Sequence, residues 1–185
     1  MCKPPVTIRG ITLIELMIAL AILAVTLSLA APAFGSLMEK THVRNARSEL
    51  SVALGTARIA AVSRTAHVVV CPSRDQHACS DGIEWQAGWI VFVDENRDRE
   101  RQTDETVLSV GQARPAGTAI ISSVGRPRAA YRPDGSATGS NLTLTFCERD
   151  GRVEASTLVI NNAGRVRSGS ASPAQAAACA DAAAG

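Results

Sequence analysis

The sequence predicts an α+β protein, a long N-terminal helix packed on a C-terminal antiparallel β domain. Three observations predict it. Residues 11–34 hold Glu15 as their one charge. Residues 39–64 then turn amphipathic at helical spacing, and after Arg64 the chain becomes a series of short β-branched segments bounded by Gly, Pro, Asn and Asp.

The apolar run is long enough to span a bilayer, so residues 11–38 are read as a transmembrane or filament-core helix. Pro32 falls inside it and should kink it by removing one backbone bond. Residues 39–64 continue the same helix as its amphipathic half. Val43, Ala46, Leu50, Ala53, Leu54, Ala57 and Ala61 form the apolar stripe, with Arg44, Arg47, Glu49 and Arg58 mostly off it. At 1.5 Å per residue the whole helix would be about 80 Å long.

Residues 65–168 read as the β domain. "AHVVVCP", "GWIVFVD", "TVLSVG", "TAIISS", "AAYRPDG", "NLTLTFCE" and "STLVINNAG" predict seven short strands in one antiparallel sheet or two. The Ala-rich remainder, 169–185, reads as a low-complexity flexible tail pinned by Cys179.

Charge is uneven along the chain. Of 19 basic residues, Lys3 and Arg9 precede the apolar run. Residues 11–113 carry 9 basic and 12 acidic groups, whereas 114–185 carry 8 and 5, so a polyanion-binding surface is expected toward the C-terminus.

Cys2 lies in the basic leader, and Cys71, Cys79, Cys147 and Cys179 lie in the β domain and tail. Four cysteines permit three pairings. Cys71, His77 and Cys79 could offer zinc three ligands, but C-x5-H-x-C is an unusual spacing for it. In an oxidising compartment a Cys71–Cys79 bridge is expected instead, leaving Cys147–Cys179 as the second.

The N-terminus has three readings. "APA" at 31–33 suits a signal-peptide cleavage site, and the apolar run alone suits a simple anchor. Neither accounts for Glu15, because a charge within a membrane helix costs about 2.5–3.5 kcal/mol on insertion scales. The order "RGITLIEL", 9–16, with basic residues before it and the apolar run behind, closely resembles the processing signal of type IV prepilins and type II secretion pseudopilins. The resemblance implies that a membrane peptidase cuts after Gly10 and methylates the new N-terminus at Ile11. The family usually has Phe there, and Ile11 keeps a large apolar residue. Glu15 matches the family's fifth mature residue, which is thought to meet the N-terminal amine of a neighbouring subunit. A buried carboxylate is tolerable when an ammonium partners it, so the pair would favour assembly over diffusion in lipid.

"GWIVFVDENRD", 88–98, and "NNAGRVR", 161–167, further resemble the GspH/FimT branch of that family. The resemblance implies a structural subunit rather than an enzyme. Its partners would be the prepilin peptidase, other pilin or pseudopilin subunits and the bacterial inner membrane, with the C-terminal domain in the periplasm and then in the filament. A GspH-type subunit would serve type II secretion and a FimT-type subunit a pilus. FimT-like minor pilins that take part in DNA uptake carry a C-terminal G-R-x-R motif that binds DNA, and Arg165 and Arg167 match it.

Read from the residues alone, "GRVR" is either a turn with two solvated arginines or a phosphate-binding pair projecting to one side of an extended segment. Arg126, Arg128, Arg132, Arg149 and Arg152 could lie nearby. Asp94, Asn96, Asp98 and Glu105 fall at positions 1, 3, 5 and 12 of a calcium-loop pattern, but Arg99 stands where that loop needs Gly, so a solvated loop is expected. G-x-S-x-G and H-E-x-x-H are both absent, and the sequence offers no catalytic set, resident metal or cofactor.

Overall fold

The computed structural model describes residues 11–184, and the expected cleavage residue Gly10 lies outside them. The chain divides into two compact units, Met1–Met38 and Glu39–Gly185. Helix α1 (Leu13–Arg64) supplies the described part of the first and the opening of the second, and it continues through position 32.

Within the first unit, Leu13–Ala30 is long and apolar enough to cross a membrane, with a mean hydropathy of 2.5. Ile18, Leu20, Leu23 and Leu27 are each more than half exposed.

The second unit is built on the amphipathic half of α1. Val43, Ala46, Leu50, Ala53, Leu54, Ala57 and Ala61 are all buried, the same stripe that the helical period marks. The helix ends in a Schellman motif. Thr65 takes a left-handed φ of 51°, its N–H donates to Val62 O, and Ala66 N–H donates to Ala61 O.

Eight strands follow in two antiparallel sheets. The first runs β3 (Val107–Gly111), β2 (Trp89–Val93), β1 (Val68–Pro72), β5 (Ala129–Tyr131). The second runs β4 (Thr118–Ser122), β6 (Leu142–Glu148), β7 (Ser156–Ile160), β8 (Val166–Ser170). Strand alternation splits each sheet into two faces. Val68, Val70, Trp89 and Val91 from the first sheet join Ile120, Leu144, Phe146, Leu158 and Ile160 from the second in one core with the α1 stripe. Arg114 ties this core's edge together, stacking over Trp89 at 4.8 Å and pairing with Glu49 at 2.9 Å.

Each outer face has its own cover. On the first sheet Val69, Cys71, Ile90 and Phe92 lie under the loop that carries Cys79. On the second, Ala119, Ile121 and Cys147 lie under helix α2 (Pro173–Ala184), which buries Cys179 and Ala183 there. Disulfides Cys71–Cys79 and Cys147–Cys179 pin these two covers. Chain-entropy estimates give about 2.6 and about 3.7 kcal/mol for loops of these lengths.

The structure corrects the flexible tail expected over 169–185. Residues to Ser170 belong to β8, and α2 follows. The signal for α2 was present in "SPAQ". Ser172 Oγ accepts from Gln175 N–H, Gln175 Oε1 accepts from Ser172 N–H, and Pro173 occupies the first helical position. Alanine then propagates the helix, so the low complexity of this segment reflects helix propensity. Strand β8 was outside the seven expected because "VRSGS" lacks β-branched alternation, and its pairing with β7 imposes the strand.

Candidate functional sites

At the helix start, Glu15 is already engaged within its own chain. Its Oε2 accepts from Thr12 N–H and Thr12 Oγ at 3.1 Å each, and Thr12 Oγ accepts from Glu15 N–H at 3.3 Å. This is a capping box, with Thr12 as N-cap and Glu15 three residues on. The T-x-x-E spacing carries that signal. The carboxylate therefore satisfies orphan donors at the helix N-terminus and is held at the apolar segment's first turn, where its charge also suits the helix dipole. A capped carboxylate keeps acceptor capacity for a further cation.

At the other candidate site, the "GRVR" residues form the turn into β8. Asn161 O accepts from Gly164 N–H at 2.8 Å, Asn161 Oδ1 accepts from Arg165 N–H at 3.0 Å, and Asn161 N–H donates to Arg165 O at 3.2 Å. Gly164 has a φ of 73°, and a Cβ there would fall on the carbonyl oxygen of Gly135 and close to Arg58 Nε. Glycine is required at this position on both counts. Arg58 Nε donates to that same Gly135 oxygen at 2.9 Å, and Ala137 N–H donates to Asn162 O at 2.9 Å. The turn is thus locked against the 132–135 turn and α1.

Val166 packs on the core, so the strand alternation turns Arg165 and Arg167 to the opposite side, where both are exposed. Among the described residues neither guanidinium has an ion-pair partner. The other arginines are mostly committed elsewhere. Arg128 pairs with Glu100 and Asp81, Arg126 donates to Gly139 O and Asn141, Arg149 to Ala183 O, and Arg152 bridges Glu39 and Asp150. Arg132 is exposed in the turn beside Gly135. The geometry offers two cations spaced along a strand, suited to successive phosphates rather than to base edges.

The loop 94–105 is held together by its own carboxylates. Asp94 is 2% exposed and accepts from Arg99 N–H, while Glu105, 5% exposed, accepts from Glu95 N–H and Gln102 N–H. Burial pushes the Asp94 carboxyl above its ordinary value. These two are structural anchors inside the expected solvated loop. Arg97 and Arg99 both adopt a φ of 66° there, the conformation for which the calcium-loop pattern uses Gly. In the Cys71–Cys79 loop, Asp75 Oδ1 accepts from the N–H groups of Ala78 and His77 at 2.9 Å each, which lowers its carboxyl to about 2. His77 lies in that loop, and Cys71 and Cys79 are joined to each other.

Comparison with known proteins bears on the family and the fold. The family model described as type II transport protein GspH matches residues 46–164, and the prokaryotic N-terminal methylation motif matches residues 7–31. No curated protein matches the chain. Two crystal structures of the type IV minor pilin FimU from Pseudomonas aeruginosa, strain PAO1, are similar in fold. One, in space group P21, has a TM-score of 0.55 at 20% identity, covering 71% of this chain and 90% of that one. The other, in P65, has a TM-score of 0.52 at 19% identity, covering 68% and 90%.

Proposed function

The chain belongs to the GspH family and carries the N-terminal methylation motif, and on that premise we propose that it is a minor pilin assembled into a type IV pilus-like filament. As a protein of minor pilin or pseudopilin type it is a structural subunit, and its motif implies processing by a prepilin peptidase and assembly with other pilin subunits. In our reading the peptidase cuts between Gly10 and Ile11 in the bacterial inner membrane, and the β domain faces the periplasm before entering the filament. The observation that carries this is Glu15, capped at the first turn of a segment whose large apolar side chains are exposed. On assembly its carboxylate would meet the methylated amine of the neighbouring subunit, and the exposed apolar side chains would find their cover.

Glutamine at position 15 can keep the capping box but removes the charge. Glu15→Gln is therefore expected to insert in the membrane normally and to drop out of sheared filaments, as read by immunoblot, while mass spectrometry of the wild type finds Ile11 as its methylated N-terminus. Wild-type incorporation of Glu15→Gln would refute the charge pairing, and a mature N-terminus at Phe34 would refute the processing.

Within this reading, Arg165 and Arg167 bind DNA through its phosphates, supported by their exposure, common side and lack of ion-pair partners. The second reading is a GspH-type pseudopilin of the type II secretion system, favoured by the match of residues 46–164 to the type II transport protein GspH family. A DNA-binding defect without a secretion defect in an Arg165→Gln, Arg167→Gln strain favours the pilus, and the reverse favours secretion.

A further inference from the structure

On the core side of β8, away from Arg165 and Arg167, a groove of about 620 Å³ separates the strand from helix α1. Lys40, Arg44 and Arg47 line it from the helix, and Ser168 and Ser170 line it from the strand. Positions i, i+4 and i+7 place the three cations on one helix face. Among the described residues none of them has an ion-pair partner. Arg152 and Glu154 close the groove, the arginine already engaged by Glu39 and Asp150.

The hydrogen bonds beside β8 show which backbone groups face this groove. Arg165 O accepts from Asn161 N–H and Ala171 N–H donates to Ala155 O, and the register is unbroken between them. Bonded positions alternate along an antiparallel strand, so Arg165, Arg167, Gly169 and Ala171 direct their backbone groups to β7. Val166, Ser168 and Ser170 direct theirs to the open edge. Strand β8 has no proline, lysine or bulge to blunt that edge.

We propose that β8 and this groove form a docking site for an extended acidic segment of another protein, which adds to the second sheet as its fifth strand. The ladder sets the register. A residue directly opposite Ser168 shares its face, so the segment's side chains at alternate positions would point toward Lys40, Arg44 and Arg47. Those cations span about 10.5 Å along the helix, and three alternate strand residues span about 13.5 Å, a difference that long basic side chains cover. Carboxylates at alternate positions satisfy both the edge and the cations. A phosphate backbone would meet the cations and could accept from the outward N–H groups, but it has no donors for the outward carbonyls. The site does not depend on the DNA reading, because Arg165 and Arg167 lie on the other side of the sheet.

The probe is a fluorescent decapeptide alternating glutamate with valine, titrated by anisotropy against the full chain in neutral detergent micelles. A second peptide carries N-methyl groups on its glutamates, which keeps every charge and blocks the ladder. The first peptide is expected to bind, the N-methylated one to bind about tenfold or more weakly, and a Lys40→Gln, Arg44→Gln, Arg47→Gln variant to lose binding to a similar extent. Ser168→Pro removes one outward N–H without touching the β7 ladder and should weaken binding as well. Equal binding of the two peptides would overturn the proposal in favour of charge attraction alone. Absence of peptide binding together with duplex DNA binding that the triple variant abolishes would assign the groove to nucleic acid.

Discussion

At its β4 end the second sheet turns Ala119, Ile121 and Cys147 outward, and the chain lays α2 across them. At its β8 end the same sheet turns out Val159, Arg165 and Arg167, and none of the described elements packs on them. The ends differ in backbone pairing, since Trp85 N–H donates to Ile120 O and Ser122 N–H to Ile83 O along β4 whereas β8 ends the sheet, and they differ in side-chain chemistry. Small apolar groups and a cysteine draw in a helix of alanine and a second cysteine, removing that surface from water. Charged side chains and an open edge can be covered at low cost only by a group that pairs the cations or completes the ladder, which an alanine helix does not do. The closed end contributes stability, as does the first sheet's own disulfide-pinned cover, and the open end stays exposed.

Removing the closed end's pin should have the largest effect. Replacing Cys147 and Cys179 with Ala is expected to cost about 3.7 kcal/mol by the loop-entropy estimate, read by urea unfolding with the fluorescence of buried Trp85 and Trp89. A loss below about 1 kcal/mol would mean that α2 is held by packing alone. Next comes the turn that shapes the open end. Gly164→Ala forces a left-handed alanine against the Gly135 carbonyl and should cost at least about 2 kcal/mol in the same assay.

The arginines themselves should be neutral to the fold and costly to binding, which is the sharpest form of the contrast. Arg165→Gln with Arg167→Gln should leave stability within about 0.5 kcal/mol. It should weaken binding of the Glu39–Gly185 unit to duplexes of unrelated sequence about equally, and lower the slope of log affinity against log salt by about 1.8. Unchanged DNA binding in the double variant would move the contact elsewhere, with Arg132 the next residue to test.

The smallest effect concerns the first sheet's cover. Hydrogen bonds from Ala78 and His77 hold the Asp75 carboxyl at about 2, below its ordinary 3.8. A depressed folded-state value means that Asp75 contributes fully above about pH 4 and loses its contribution as pH falls through 2. Hydrogen exchange at the His77 and Ala78 amides should quicken, relative to their intrinsic rates, over that window. An Asp75→Asn variant should show no such acid step.

Much of this architecture follows from local patterns. A 3.6-residue period marks the buried stripe of α1, because a helix can bury only one face against a sheet. Turn residues and β-branching mark β1 to β7. The run Leu13–Ala30 is legible from its composition, with Glu15 as its one charge, and its large apolar side chains are exposed. Thr12 with Glu15 and Ser172 with Gln175 were equally legible as capping boxes, since both bonds close within four residues. Other features were decided by contacts distant in sequence. Strand β8 exists because β7 offers it a ladder, and Gly164 is obligatory because a turn 29 residues earlier brings the Gly135 carbonyl against it. The exposure of Arg165 and Arg167, the commitment of Arg126 and Arg128 to other partners, and the cationic groove facing an open edge arise from the same cause. A local pattern states which groups a residue can offer, but only the assembled sheets decide which of those groups already have partners.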